Sequence, residues 1–263
     1  PEKPNILVAG CENGQVLMYD FNDESTIVDP MLKATFTSED LFSKYYRPKY
    51  ASALVGRDMQ PFKCHSQPVT DLHWLPKGQR MTRLADIEST EEITQFITAG
   101  LDGKIIVWDC VVDPDSVHPN SEAILPGASL LAEWTPTFTM TILKQPKSTI
   151  VHPTKFLDLI ANSQGKLTAD VRAVTDDGRV VSFNWMNGID RSFIGRQTPS
   201  IASNTQLLWH SATAFCSSPF IESLYVVCDR SNVVLSSLKG GAAELFRSSS
   251  RNSPIVAAAF SPT

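Results

Sequence analysis

Two stretches of the sequence decide the fold: His65-Ser-Gln-Pro-Val-Thr-Asp-Leu-His-Trp74 and Phe96-Ile-Thr-Ala-Gly-Leu-Asp-Gly-Lys-Ile-Ile-Val-Trp-Asp109. They are rich in β-branched and aromatic residues, which predicts one strand in the first stretch and two in the second. The Asp102-Gly103 pair predicts a tight turn, because glycine readily adopts the positive φ that short hairpins need. Together the two stretches predict one antiparallel sheet of an all-β protein.

These two stretches resemble a blade of a WD-repeat β-propeller, and the resemblance implies a buried chain of hydrogen bonds among four side chains. We expect the indole N–H of Trp108 to donate to Thr98, and His65 to link Thr98 to Asp102. A His beside an Asp and a Thr also resembles a hydrolytic triad, but the sequence contains no G-x-S-x-G elbow or oxyanion loop to accompany it. We therefore interpret these residues as a structural relay and predict no catalytic residues and no enzyme activity.

The strand spacing, the turn and the closing Trp-Asp pair are typical of one blade of a WD-repeat β-propeller. Weaker copies recur along the chain, so we predict a single partial propeller over residues 1–263, with about three full four-stranded antiparallel blades, two partial blades and loop or helix insertions. The predicted segments are the second half of a blade (1–21), an insertion (22–64) with a short helix at 38–46, a blade (65–112), a loop (113–137), two blades (138–187 and 205–240) and the first strand of the next blade (253–263).

Within the predicted blade at 138–187, the alternating run from Phe138 to Leu143 is expected to be the innermost strand, followed by an insert at 144–167. The incomplete blades at both ends lead us to expect that the full protein continues in both directions, since a propeller needs typically 4 to 8 blades to close.

The composition argues against several classes of function. A net charge of −5 and a pI near 5.5 make nucleic acid a poor partner. No apolar run approaches the roughly 20 residues that span a bilayer, so we predict no membrane partner. The five cysteines include no C-x-x-C pair, which argues against a disulfide framework or a zinc site and favours a reducing compartment inside the cell. No glycine run resembles a phosphate cradle, and we predict no metal, no cofactor and no small-molecule substrate.

Two segments also resemble a known family. Pro4-Asn-Ile-Leu-Val-Ala-Gly-Cys-Glu-Asn-Gly-Gln-Val-Leu-Met-Tyr-Asp20 and the segment from His65 to Pro76 are similar to consecutive blades of dynein intermediate chains, and within that family most resemble the axonemal inner-arm intermediate chain. The resemblance covers residues 4–112 and, loosely, 170–185, with departures at Tyr19, where the family has Trp, and at Ala9, where it has Gly.

The resemblance implies a non-catalytic scaffold. Proteins of this kind clasp the tail of a dynein heavy chain with the propeller, work beside other intermediate and light chains, and support assembly of the motor and ciliary motility. The implied location is the cytoplasm and the cytoskeleton, in the axoneme of a cilium or flagellum. The alternative that remains open is a generic WD-repeat adaptor that binds peptides in a ubiquitin-ligase or trafficking complex. A repeated pair of arginines on one face would favour the adaptor, and we find no such repeat in the sequence.

Aromatic residues in the two long inserts are the candidate partner-binding residues, because interfaces are enriched in Tyr and Trp. In the insert at 38–50 they are Phe42, Tyr45 and Tyr46, and in the insert at 113–137 it is Trp134. The alternative is that these side chains pack into neighbouring blades.

Overall fold

A computed structural model describes residues 6–14, 16–20, 50–51, 65–82, 84–91, 95–109, 137–145, 148–162, 165–187, 196–221, 223–237, 242–247 and 254–261. Every regular element within these ranges is a β-strand. The strands are β1 (Ile6–Gly10), β2 (Val16–Asp20), β3 (Tyr50–Ala51), β4 (Val69–Trp74), β5 (Gln79–Met81), β6 (Ile87–Ser89), β7 (Gln95–Gly100), β8 (Lys104–Asp109), β9 (Phe138–Thr141), β10 (Thr154–Ala161), β11 (Leu167–Thr175), β12 (Arg179–Asn184), β13 (Arg196–Gln197), β14 (Ile201–Gln206), β15 (Ala214–Ser217), β16 (Leu224–Cys228), β17 (Asn232–Ser237) and β18 (Ala242–Arg247).

The strands form four blade-like sheets, which confirms the predicted all-β fold of antiparallel four-stranded sheets. The first blade has the order β1-β2-β3, the second β4-β7-β8-β9, the third β10-β11-β12-β14 and the fourth β15-β16-β17-β18. The short strand β13 pairs in parallel with β9 and adds a fifth strand to the second blade. A small hairpin, β5-β6, lies in the connection between the first and second strands of the second blade.

Tight turns explain how these sequences form hairpins, and Gly14 shows why one turn needs glycine. Its φ is +86°, and a Cβ at this position would lie 2.4 Å from the carbonyl oxygen of His65. The backbone N–H of Val69 donates to the carbonyl of Cys11 in the same turn, at 3.1 Å. The first blade and the segment entering the second blade are therefore in direct contact.

The apolar core lies between the faces of neighbouring blades. Phe96 and Trp108 of the second blade pack with Val16 of the first, and Tyr225 and Val227 of the fourth pack against the third. The largest cluster joins the second and third blades and includes Ile97, Ile105, Val107, Met140, Leu157, Val171, Ala173, Val181, Phe183 and Trp185. Fully burying one large apolar side chain contributes about 1.5–3 kcal/mol, so these faces hold the blades together.

Two predicted blade boundaries are wrong. Phe138–Thr141 was expected to open the third blade, but it pairs with β8 and is the fourth strand of the second blade. The third blade opens with Thr154–Ala161, inside the predicted insert at 144–167, and closes with Ile201–Gln206. An alternating pattern identifies a strand but not its neighbour, because pairing is set by contacts distant in sequence.

Three further segment predictions also need correction. The predicted insertion at 22–64 contains Tyr50–Ala51, which pairs with β2 in the first blade. The blade predicted at 205–240 spans Ala214–Arg247 instead. Of the strand predicted at 253–263, the structure describes 254–261, and these residues join no ladder with a described strand. Ile255, Ala258 and Phe260 pack instead on the open face of the fourth blade. The helix predicted at 38–46 lies outside the described residues, and of the loop predicted at 113–137 only residue 137 is described.

Candidate functional site

The structure brings His65, Thr98, Asp102 and Trp108 together in the second blade. The indole N–H of Trp108 donates to Thr98 Oγ1 at 2.8 Å, and His65 Nε2 lies 2.9 Å from the same oxygen. The other ring nitrogen, His65 Nδ1, lies 3.0 Å from Asp102 Oδ1. All four residues are buried. The relay therefore ties the segment before β4 to β7, to the β7–β8 turn and to β8.

Asp102 is the charged end of this relay. Its carboxylate also accepts the backbone N–H groups of Ser66 at 2.8 Å and Lys104 at 3.1 Å. Burial alone would raise the pKa of Asp102. The hydrogen bond and the charge attraction from His65 lower it, as do the two backbone N–H groups, so the pKa lies below its ordinary value. The aspartate therefore stays ionised and anchors the turn.

The relay offers no nucleophile to a substrate. Thr98 is 0 % exposed, and its hydroxyl already bonds the Trp108 indole and lies 3.5 Å from the carbonyl of Ile106. A catalytic hydroxyl must reach a reacting carbonyl, which this one cannot do while the blade is folded. The geometry therefore indicates that the relay fixes the register of β7 and β8.

In the third blade a single hydrogen bond between a threonine and an aspartate stands in place of the four-residue relay. Thr175 Oγ1 donates to Asp177 Oδ1 at 2.5 Å within the β11–β12 turn. Phe183 stands five residues after the turn glycine, as Trp108 does in the second blade, and Trp185 follows two residues later in the same core cluster. Trp185 is 0 % exposed, and its indole nitrogen has no hydrogen-bond partner in the described part of the chain.

Polar side chains also join the innermost strands of the second and third blades. Thr70 Oγ1 donates to the carbonyl of Thr154 at 2.7 Å. Asp71 Oδ2 accepts the backbone N–H of Leu157 at 2.7 Å and lies 2.9 Å from His73 Nε2. Burial lowers the pKa of His73, but the hydrogen bond to Asp71 and the negative charges of Asp71 and Asp158 outweigh it, so the pKa is raised.

A buried cation joins the third and fourth blades. Arg172 is 2 % exposed, and its Nη2 lies 2.6 Å from Asp158 Oδ2 on the paired strand. Its guanidinium carbon lies 4.7 Å from the ring centre of Tyr225 in the fourth blade. A cleft of about 810 Å³ opens beside this pair and is bounded by residues 217–221 and 223, which include Phe220. Charged and aromatic groups here serve the contact between blades.

The comparison with known proteins agrees with this architecture. Residues 1–123 match the family model for the WD40 domain of dynein axonemal intermediate chain 3. Over these residues the chain is similar to the WD40 domain of a dynein intermediate chain. Dynein axonemal intermediate chain 3 of Mus musculus and that of Homo sapiens are each 27% identical to it over 125 residues, which cover 41% of this chain and 13% of the relative. The Danio rerio protein of the same name is 25% identical over 121 residues, covering 45% of this chain and 12% of the relative.

The resemblance to dynein intermediate chains that we inferred from residues 4–112 is confirmed by this match. The chain spans about 13% of the length of the curated relatives it matches. The match includes the relay of the second blade but ends before the third and fourth blades begin.

The aromatic candidates in the inserts remain predictions. Phe42, Tyr45, Tyr46 and Trp134 lie outside the described residues. Sequence reasoning missed two features of the described WD40 blades. The contact between Asp71 and Leu157 joins residues 86 apart in the chain, so no local pattern signals it. The strong exposure of Trp209, 85 %, is equally invisible to pattern analysis.

The described residues contain no group of three His, Cys, Asp or Glu side chains that could hold a metal ion. Cys11, Cys216 and Cys228 are free thiols. Burial, with the nearby Cys216 and Asp229, raises the pKa of the Cys228 thiol to about 11, so it is protonated at neutral pH and a poor nucleophile. Among the described ranges, no helix is long and apolar enough to cross a membrane.

Proposed function

We propose that this chain is the WD40 part of a dynein subunit of the intermediate-chain type. It acts as a non-catalytic scaffold that binds the heavy-chain tail and supports assembly of an axonemal inner-arm motor and ciliary motility. The single observation that carries the proposal is the match of residues 1–123 to the WD40 domain of dynein axonemal intermediate chain 3.

The physical chemistry of the blades supports a scaffold. Rigid sheets with buried polar relays present their connecting loops in fixed positions, which is how propeller-like folds build binding surfaces. The hydroxyl of Thr98 is buried and accepts a hydrogen bond from the Trp108 indole. The group that resembles a hydrolytic triad in the sequence is therefore unsuited to catalysis.

The proposed partners are a dynein heavy chain and the other intermediate and light chains of the same complex. The proposed place of action is the cytoskeleton, in the axoneme of a cilium or flagellum, after assembly in the cytoplasm. The inserts at 38–50 and 113–137 are proposed as contacts through Phe42, Tyr45, Tyr46 and Trp134.

A second candidate function is a WD-repeat adaptor that binds acidic peptides in a ubiquitin-ligase or trafficking complex. One observation favours it, although the sequence pattern alone shows no repeated pair of arginines. Arg179 begins the third strand of the third blade, directly after its turn, and the exposed Arg230 lies in the corresponding turn of the fourth blade. The two candidates predict different partners, so one purification separates them.

The test is affinity purification of the tagged full-length protein from ciliated or flagellated cells, with mass spectrometry of the recovered proteins. The proposal expects dynein heavy, intermediate and light chains, and tagged protein in isolated axonemes. A double variant, Tyr45→Ala with Tyr46→Ala, should recover less heavy chain, whereas the matched control Phe220→Ala, an exposed aromatic far along the chain, should not. Recovery of ligase or trafficking subunits without dynein would reject the motor role and support the adaptor.

A further inference from the structure

Trp209 is the most exposed large apolar side chain among the described residues, at 85 %. Scattered exposed apolar residues are ordinary, but tryptophan buries the most area when a partner covers it and is enriched at interface hot spots. The residue before it, Leu208, is only 1 % exposed and packs in the core between the third and fourth blades. Trp209 therefore projects from a well-anchored backbone.

The loop that carries Trp209 is held on both sides. The backbone N–H groups of Leu207 and Leu208 donate to the carbonyl of Gly178 at 3.2 and 3.0 Å. After Trp209, Ser211 Oγ lies 2.5 Å from Asp176 Oδ1 and 2.7 Å from Lys155 Nζ. A side chain presented by a pre-ordered loop loses little further entropy on binding.

Several turns and connections share the rim of the blades on which Trp209 lies. In each antiparallel blade the first strand begins, and the second strand turns into the third, at the same rim. We define the turn rim by the described residues 142–145, 148–155, 176–179, 206–213 and 229–231. It also carries Ile150, which is 61 % exposed.

The turn rim is cationic, although the whole chain has a net charge of −5. Its charged residues are Lys144, Lys155, Arg179 and Arg230 against Asp176, Asp177 and the fully buried Asp229. Asp229 is occupied by the backbone N–H groups of Ser231 and Asn232, each at 2.7 Å. The surface of the rim therefore offers four cations against two exposed carboxylates.

The ion pairs on this rim are weak enough to be exchanged. Lys144 Nζ and Arg179 Nε each lie 3.5 Å from Asp177 Oδ2, with side chains 38–41 % exposed. Pairs of this kind contribute little to stability, because water screens them. An ammonium has three donors and a guanidinium five, so these groups can bind the carboxylates of a partner as well.

We propose that the turn rim is a docking surface for an acidic segment of a protein partner, which covers Trp209 with an apolar side chain and places carboxylates on Lys144, Lys155 and Arg179. This inference rests on the proposed function in expecting that partner within the dynein complex. A nucleic acid could also stack on Trp209, but the chain's overall negative charge repels a long polyanion.

Zero-length carbodiimide cross-linking of the purified native complex tests this surface, because the reagent joins an amine only to a carboxylate in direct contact. The inference expects cross-links from Lys144 or Lys155 to Asp or Glu of one partner segment that survive nuclease treatment. Trp209→Ala should reduce their yield at least about tenfold, and Lys144→Gln with Arg179→Gln should do the same. The matched control Phe220→Ala, which removes another exposed aromatic (66 % exposed), should leave the yield unchanged. All variants should melt at the same temperature as the parent protein.

The inference is overturned if the Trp209→Ala yield equals the control, if Lys144 and Lys155 form no links to a partner, or if the links disappear with nuclease. Its failure is distinguishable from that of the proposed function. Recovery of dynein chains with an unaffected Trp209→Ala variant rejects only the docking surface. Links from the turn rim to an acidic segment of a non-dynein protein, lost in Trp209→Ala, reject only the dynein assignment.

Discussion

The indole of Trp108 and the hydroxyl of Thr98 meet diagonally across β7 and β8, at 2.8 Å. The ladder pairs Trp108 with Phe96 and Thr98 with Ile106, so this bond forms in one strand register only. A slip of one strand by one residue would place the two side chains on opposite faces of the sheet. The relay therefore specifies the arrangement of the second blade and places the β7–β8 turn that contacts its neighbours.

Replacing Trp108 with Phe should lower the free energy of unfolding by about 1–3 kcal/mol beyond the loss of packing, because it leaves Thr98 and His65 short of a buried partner. Trp185→Phe is the matched control. Trp185 is equally buried, at 0 %, but its indole nitrogen has no hydrogen-bond partner in the described part of the chain. Chemical denaturation of both variants measures the difference. Equal losses for the two would show that the relay hydrogen bond contributes nothing.

Asp71→Ala should lower the free energy of unfolding by about 1–3 kcal/mol, because it removes the acceptor of the Leu157 N–H between the second and third blades. Glu88→Ala, at an exposed position of the β5–β6 hairpin, is the control and should stay within about 0.5 kcal/mol of the parent. Thermal or denaturant unfolding measures both variants. A neutral Asp71→Ala variant would mean that the hydrogen bond from the Leu157 N–H to Asp71 contributes nothing to stability.

His73 should make the stability depend on pH in a defined direction. Burial lowers the pKa of His73, but Asp71 and Asp158 raise it by a larger amount. The pKa in the folded protein therefore lies above the unfolded value. The protonated form is thus favoured by folding, and this contribution is fully present below the unfolded pKa and lost as the pH rises through the folded pKa. His152 acts in the opposite sense, because burial lowers its pKa.

The His73 contribution is therefore measured as a difference between variants. His73→Gln should lower the free energy of unfolding more at about pH 5.5 than at about pH 8. Unfolding curves of the two proteins at both pH values provide the comparison. An effect of the same size at the two values, or a larger one at high pH, would contradict the proposed ion pair with Asp71.

Cys228 should resist alkylation in the folded protein. Its thiol is 0 % exposed, and burial raises its pKa to about 11, so almost no thiolate is present near pH 8. Iodoacetamide followed by mass spectrometry should label Cys228 only after denaturation. Labelling of the native protein as fast as the unfolded chain would contradict the burial of β16.

The predictable part of the fold was local in sequence. Asn13-Gly14 and Asp102-Gly103 identify hairpin turns because few dipeptides adopt the required φ, and His65, Thr98, Asp102 and Trp108 are recognisable by spacing within a single blade. The sheet that Phe138–Thr141 joins was not predictable. Its two neighbours are β8, which precedes it in the chain, and β13, which lies more than 50 residues after it, and no local pattern identifies either.

The surface of the molecule was the least predictable part. Trp209 and Trp185 look alike as single letters, yet one is 85 % exposed and the other fully buried. The backbone just before Trp209 is held by the carbonyl of Gly178, about 30 residues earlier in the chain, and no local pattern signals that contact. Lys144 and Arg179 are 35 residues apart in the chain, and they meet at Asp177 only in the folded protein.

Direct binding to a dynein heavy-chain tail tests the central claim most directly. The purified full-length protein would be mixed with recombinant heavy-chain tail at about 1 µM of each, and the products sized by mass photometry. A complex of defined stoichiometry is the predicted result. Cooperative melting would show that the protein is folded. If such a folded protein bound no axonemal heavy-chain tail, the proposed role in a dynein motor would be wrong.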